Sequence, residues 1–328
     1  MVSMVKVVIP GGSGHLGHVL GRSLARDGHE VVILSRRPAA LPWRVVEWDG
    51  ETFGPWTAEL DAAEVVINLA GRSVNCRYTP ARRGEILDSR IASTRVLGQA
   101  IARTPRPPRV WLQSSTATIY AHRFDAANDE ATGVIGGSEP GVPETWNFSI
   151  GVATKWEREF DCAETPRTRK VAMRSAIVMS PERGGPFEVL LQLVRRGLGG
   201  TSGDGRQFVS WVHDEDFVRA VNWLVGRADI SGVVNIAAPT PLPNADFMRA
   251  LREAWGTSIS LPAPAWLLEI GAFFMRTETE LVLKSRRVVS KRLRDHGFVF
   301  TWPLWPDAAR DLVGRWRSRP GADSISAP

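Results

Sequence analysis

Gly11-Gly12-Ser13-Gly14-His15-Leu16-Gly17 stands directly after the β-branched run Val5–Ile9, at the head of an apolar-periodic helix predicted from about His15 to Asp27. No other feature constrains the chain as strongly. Glycines at this spacing between a strand and a helix open a βαβ unit whose helix N-terminus accepts an anion. Gly11 permits the tight turn, Gly14 lets the backbone approach a pyrophosphate, and Gly17 allows the helix to pack closely on the strand. Ser13, His15 and Leu16 complete the cradle. The implied ligand is a dinucleotide, held at the end of the first strand.

The pattern that follows extends this unit. Glu30–Leu34, Arg44–Trp48, Glu64–Leu69, Arg109–Gln113 and Lys170–Met179 read as further strands, and Pro80–Arg103 as a long helix. Strands alternating with helices predict an α/β fold, a doubly wound parallel Rossmann sheet with a smaller C-terminal α+β substrate domain. The expected division is 1–180 for the dinucleotide-binding domain, with 208–240 returning to it. Residues 181–207 and 241–317 form the substrate domain, and 318–328 a disordered tail. Ala121–Trp146 is a long loop rich in Gly, Pro and acids, of the kind that is usually functional or mobile. Helices are expected over Phe148–Cys162, Phe187–Arg196, Asp214–Gly226, Asn244–Trp255 (with Asn244 as N-cap) and Pro306–Trp316, and a strand over Val233–Ile236. Two short helices and a terminal strand are expected between Pro262 and Phe300.

Composition excludes several classes. With 43% hydrophobic and 23% charged residues in 328, the chain is neither disordered nor fibrous. Two cysteines, Cys76 and Cys162, cannot supply a disulfide framework or a cysteine-rich metal site, and no metal is expected. The first strand starts too early for a signal peptide and no apolar run is long enough to span a membrane, so the expectation is a cytoplasmic protein without a membrane partner. The net charge of +6 comes from basic residues spread along the chain without a block of five or six, which argues against a nucleic-acid partner. The partner expected is a small-molecule substrate; a homodimer is left open.

The end of the second strand selects the cofactor. An Asp or Glu about twenty residues after the glycines would accept from the ribose 2′-hydroxyl of NAD. Here Ser35-Arg36-Arg37 brings a hydroxyl and two guanidinium groups instead, which suit a 2′-phosphate. The cofactor expected is NADP(H). At the end of the fourth strand, Leu69, Ala70 and Gly71 after Asn68 are small enough for adenine and ribose to pack on the backbone.

These motifs, with Val66–Gly71, Thr79–Thr94, Thr154-Lys155-Trp156-Glu157, Gly197–Asp216 and Arg287–Phe298, resemble those of the extended short-chain dehydrogenases/reductases. The resemblance is closest to the atypical epimerase-family branch, nucleoside-diphosphate-sugar epimerase-like, with a C-terminal domain of unknown function. It spans nearly the whole chain. It implies a catalytic Ser or Thr after the fifth strand and a Tyr-x-x-x-Lys pair on the next helix, where tyrosine moves the proton and lysine holds the nicotinamide ribose. Thr116 falls at the hydroxyl position, with Ser115 as the neighbouring alternative, and Lys155 matches the lysine. The tyrosine position is Gly151. Neither of the two tyrosines, Tyr78 and Tyr120, has a lysine four residues on.

Tyr120, four residues after Thr116, is the first candidate for a replacement acid; His213, Asp216 and Cys76 are others. Arg206, Trp211 and His213 follow or border the turn Gly199–Gly205 and are the expected substrate-side residues. Arg90 and Ser93, three apart on one helix face, are read as supporting the nicotinamide side or else as solvated or dimer-facing. The function expected is an NADP(H)-dependent oxidoreductase or epimerase-like enzyme on a small organic substrate, with an altered proton donor. The alternatives are an NADP(H)-binding regulatory protein without turnover and a non-redox isomerase or cyclase, because a fold does not dictate chemistry.

Overall fold

Runs of Val and Ile form strands because their branched side chains fit a pleated surface packed on both sides. The computed structural model describes residues 4–37, 40–258, 261 and 280–319. Its strands are β1 Lys6–Pro10, β2 Glu30–Ser35, β3 Arg44–Glu47, β4 Val65–Asn68, β5 Val110–Thr116, β6 Arg169–Ser175, β7 Ile177–Met179, β8 Phe208–Val209, β9 Trp211–His213, β10 Gly232–Ile236 and β11 Leu242–Pro243. The helices are α1 His15–Arg26, α2 Pro80–Arg103, α3 Asn147–Asp161, α4 Pro186–Arg195, α5 Asp214–Gly226, α6 Asn244–Trp255, α7 Glu280–Leu283, α8 Lys291–Asp295 and α9 Trp305–Arg317.

Seven strands make one parallel sheet in the order β10-β6-β5-β4-β1-β2-β3. β1 lies between β2 and β4, with Val7 level with both Val31 and Val65. The chain order reverses direction at β1/β4, and a doubly wound sheet places its ligand in the crevice outside that point. Alternate residues of the same strands enter different cores. Val7, Ile9, Val31, Ile33, Val65 and Ile67 pack with Leu20 of α1 and Phe217 of α5. Val8, Val32, Leu34 and Val66 pack on the other face with Val96 and Leu97 of α2 and Phe160 of α3. Each such buried side chain contributes about 1.5–3 kcal/mol. A further core joins Phe187 of α4, Phe247 of α6 and Trp305 and Leu312 of α9, forming the smaller C-terminal layer.

Several elements differ from expectation. The run Lys170–Met179 is not one strand. After β6 the Ala176 N–H bonds to the Ile236 carbonyl of β10, and β7 then leaves to pair with β9. The interruption Arg174-Ser175 falls at this change of partner, between the apolar runs Val171–Met173 and Ala176–Met179. β5 continues to Thr116, where it still pairs with Ser175. Asn244 is the first residue of α6 rather than its cap, which is Pro243; the Asn244 side chain instead accepts from the Ser202 N–H. No strand forms at Phe298–Phe300, whose rings pack on each other and on Trp223. Within Ala121–Trp146, buried Asn128 and half-buried Glu130 tie the loop down: Asn128 pairs with the backbone of Arg287 and Val289, and Glu130 accepts from the Asn235, Lys291 and Arg292 N–H groups. Residues 262–279 and most of the expected tail lie outside the described residues.

Candidate functional site

The glycine loop is shaped by contacts that admit no side chain. Gly11 has φ +74°, and a Cβ there would lie 2.6 Å from Ala70 Cα, so the β1 and β4 loops meet at this point. A Cβ on Gly17 would overlap the Gly12 carbonyl, which is how closely α1 presses on the turn. Gly14, the N-cap of α1, is different: the nearest atom to an added Cβ is the Gly11 carbonyl oxygen at 3.7 Å. The space beside Gly14 is open, next to the helix-terminal N–H groups that lack intrahelical acceptors. The His15 ring tucks under Gly185, and burial lowers its pKa, so it stands neutral at pH 7.

Ser35, Arg36 and Arg37 divide the end of β2 between them. Ser35 is buried and donates to Ser13 Oγ at 3.1 Å, which fastens the glycine loop to β2. Arg36 and Arg37 are exposed, and neither has an ion pair among the described residues. Arg36 borders an open cavity of about 340 Å³ walled by Trp48, Asp49, Phe53 and Trp56. Beyond β4, Asn68 holds the next turn by accepting from the Ala70 N–H at 3.0 Å and donating to Gln113. Arg90 is half-buried. Its guanidinium lies against Gly71, donates to the Arg72 and Ile86 carbonyls and sits 5.0 Å from the Trp156 ring centroid. Burial lowers the Arg90 pKa to about 10, and Ser93, also buried, donates to the Arg90 carbonyl. Arg90 is thus a support for the β4 turn.

The residues expected to carry chemistry near β5 are arranged quite differently. Thr116 is half-buried at the strand end, and its Oγ1 accepts from the Thr118 N–H at 3.1 Å. Ser115 points to the opposite face, as successive strand residues must. It donates to Glu157 of α3, which is held by two hydrogen bonds from Arg174. Tyr120 is 2% exposed; its hydroxyl donates to Asn235 Oδ1 at 2.9 Å and accepts from Arg174 Nη1 at 3.0 Å. Burial raises its pKa. Tyr120 therefore belongs to the core rather than to the cleft, and the expectation of a replacement acid at this position is corrected.

Lys155 is likewise misplaced by a reading of spacing. α3 buries Ile150, Ala153, Glu157 and Phe160, one face at helical period. Lys155 lies on the opposite, exposed side with Thr154 and Arg158, and a Cβ on Gly151 would meet no atom within 4 Å. The inward pair at the same four-residue spacing is Ser149 and Ala153. Ala153 packs with Ala117, Ile119 and Tyr120, and Ser149 donates to Glu280 at 2.6 Å. The face of α3 that looks at the end of β5 carries neither tyrosine nor lysine.

The substrate-side candidates separate too. Trp211 is fully buried in the C-terminal core against Trp305. His213 caps α5, accepting from the Glu215 N–H through Nδ1, and its Nε2 lies 3.0 Å from Asp311 of α9. It stacks on Trp302 and has no exposed atom to present to a ligand. Asp216 is used in full by Arg219 and the Thr301 and Trp302 N–H groups. Arg206 alone of this group is exposed, its guanidinium 5.9 Å from the Phe124 ring.

A cluster not anticipated from sequence closes this side of the site. Lys284 Nζ donates to the Thr118 carbonyl at 2.9 Å, and Arg286 Nε to Thr118 Oγ1 at 3.2 Å. Both cations are buried beside Glu280. In a chain with five lysines against 36 arginines, a lysine between a hydroxyl and an arginine was the available signal. No group of metal ligands occurs among the described residues, nor any helix long and apolar enough to cross a membrane.

Residues 7–237 match the NAD dependent epimerase/dehydratase family, and residues 263–312 match a domain of unknown function, DUF1731. The chain belongs to the NAD dependent epimerase/dehydratase family. Among its relatives, the epimerase family protein SDR39U1 of Bos taurus is 31% identical over 94% of this chain and 100% of its own length. Epimerase family protein YfhF of Bacillus subtilis is 30% identical, over 94% of this chain and 98% of its own. The crystal structure of human epimerase family protein SDR39U1 (isoform 2) with NADPH superposes with a TM-score of 0.82 at 28% identity, covering 94% of this chain and 99% of that one. The resemblance drawn from the motifs therefore holds at the level of the family and of its doubly wound sheet.

Proposed function

We propose that the chain binds NADP(H) at the glycine loop and acts as an NADP(H)-dependent oxidoreductase or epimerase-like enzyme on a small organic substrate. The observation that carries this reading is the pairing of open space beside Gly14 with Arg36 and Arg37 at the end of β2, two exposed cations that have no ion pair among the described residues. A pyrophosphate fits the first and a 2′-phosphate the second; the end of β2 itself carries no carboxylate, and Glu47 and Asp49 line the cavity that Arg36 borders. The NADPH in the human relative's structure supports the same choice. His15, Leu16 and Gly17 N–H groups would hold the pyrophosphate, and Leu69, Ala70 and Gly71 would border the adenosine. Bound there, the cofactor supplies a hydride donor or acceptor; Thr116 is the hydroxyl at the strand end nearest that chemistry. Arg206 would meet the substrate from the outer rim.

The test is calorimetric titration of the full chain with NADPH and NADH. NADPH is expected to bind at least tenfold more tightly, about 1.4 kcal/mol; equal affinities would reject the reading. A second reading, cofactor binding without redox turnover, is favoured by one observation: the inward face of α3 lacks both tyrosine and lysine. Consumption of NADPH with any member of a carbonyl, enone and sugar-nucleotide panel would eliminate it.

A further inference from the structure

Ser149 is half-buried on the face of α3 that looks toward the end of β5, and its Oγ lies 2.6 Å from Glu280 Oε2. Glu280 is 3% exposed, and the other oxygen of its carboxylate is 3.9 Å from Lys284 Nζ, itself without exposed side-chain surface. Lys284 also donates to the Thr118 carbonyl, two residues after Thr116, while Arg286 joins the Glu280 carbonyl to Thr118 Oγ1. A partly accessible hydroxyl is thereby hydrogen-bonded to a buried carboxylate, which in turn forms an ion pair with a buried ammonium. All of them surround the turn that begins at Thr116.

We propose that Ser149, Glu280 and Lys284 form a proton relay that serves the substrate bound beside Thr116. The proposal rests on the oxidoreductase reading above. In reduction, an oxygen on the substrate gains negative charge as its carbon takes a hydride from reduced nicotinamide, which leaves oxidised. Lys284 first passes a proton to Glu280 as the two close their 3.9 Å separation; the Ser149 hydroxyl then turns from Glu280 to the substrate oxygen and gives it its proton, and the Glu280 carboxyl replaces that proton on Ser149. Lys284 is left a neutral amine and recovers its proton from water between turnovers. Substrate oxidation runs the same path backwards. Among the described residues, the charged and titratable groups around Lys284 are Glu280, Arg286, Glu139 and His122, and Glu280 is the buried carboxylate of the set. His122 accepts from the Ser285 N–H through Nδ1, and burial, with Lys284 nearby, keeps it neutral. Burial and the adjacent Arg286 lower the Lys284 pKa to about 8, so near neutral pH it parts with its proton readily. An ordinary surface lysine, near about 10.4, would not.

Lysine side-chain NMR on the full chain tests this, because the other lysines are few: Lys6, Lys155, Lys170 and Lys291. One ε-methylene signal is expected to titrate near pH 8 and to vanish in Lys284→Met. If that variant does not fold, replacing the other four lysines by arginine one at a time assigns the signal by elimination. Ser149→Ala and Glu280→Gln are each expected to move the midpoint by about half a unit or more, since both alter what stabilises the charged amine. A Lys284 midpoint in the ordinary lysine range, or one that Ser149→Ala leaves in place, overturns the relay. NADPH affinity measured on the same samples keeps the two readings apart. Wild-type protein that fails to bind NADPH removes the cofactor reading, whereas the titration alone decides the coupling of Ser149 to Lys284.

Discussion

The two sides of the sheet edge treat polar groups in opposite ways. Around the glycine loop the groups that face outward have no protein partner: the space at Gly14 is open, and Arg36 and Arg37 have no ion pair among the described residues. Around β5 the polar side chains are spent on one another, from Ser115 through Glu157 and Arg174 to Tyr120 and Asn235. Unsatisfied donors at a helix end and a strand end are a standing invitation to an anion. Satisfied buried networks confer rigidity, and their members are expensive to remove but unavailable to a ligand. Proximity to Thr116 in sequence is thus no guide to proximity to chemistry. Ser149 is the hydroxyl on this side whose proton chain leads inward to a carboxylate and an ammonium.

Substitutions that separate stability from binding would break this contrast if it is wrong. Glu157→Ala removes the carboxylate that offsets half-buried Arg174, and breaking such a pair costs up to about 3 kcal/mol. Thermal or urea denaturation is expected to show that loss. Gly14→Val fills the open space, its Cβ in no more than van der Waals contact with the Gly11 carbonyl oxygen, so the fold should survive while NADPH affinity drops by about a hundredfold or more, roughly 2.7 kcal/mol. Unchanged affinity by calorimetry in the folded variant would place the cofactor elsewhere. Arg36→Ala is expected to erase most of the preference for NADPH over NADH, about tenfold, without moving the melting temperature. Tyr120→Phe leaves Asn235 and Arg174 each short of one partner and should cost about 1 kcal/mol of stability, with NADPH affinity unchanged. A large fall in cofactor binding for Tyr120→Phe would return that residue to the site. Lys155→Ala, on the solvent face of α3, should stay within about 0.5 kcal/mol in stability and bind NADPH as the wild type does.

What could be read in advance follows the range of the interactions involved. Gly11 and Gly17 were legible because their demands are met within a few residues by the turn and the helix that follow. α2 begins with Thr79, whose side chain accepts from the Arg82 N–H, and Pro80 at its first position, a local signal that gives its boundary to the residue. By contrast, the spacing from Gly151 to Lys155 is the same as that from Ser149 to Ala153. Periodicity shows that two residues share a helix face, not which way the face is turned. For His213 and Trp211, a histidine and an aromatic beside a Gly-rich turn looked like ligand chemistry, yet their partners Asp311 and Trp305 lie in α9, far along the chain.

The sequence by itself therefore determined the parallel sheet, the glycine loop and the cationic end of β2, since each depends on the intrinsic conformational and charge properties of neighbouring residues. Tertiary structure alone decided which hydroxyls and amines stand at the end of β5. Ser149, Glu280 and Lys284 come together across more than a hundred residues, because α3 and the C-terminal segment pack on the same turn. Burial then changes what those groups can do. A lysine out of water gives up its proton more easily and a tyrosine out of water less easily, and neither effect is written in the residue type.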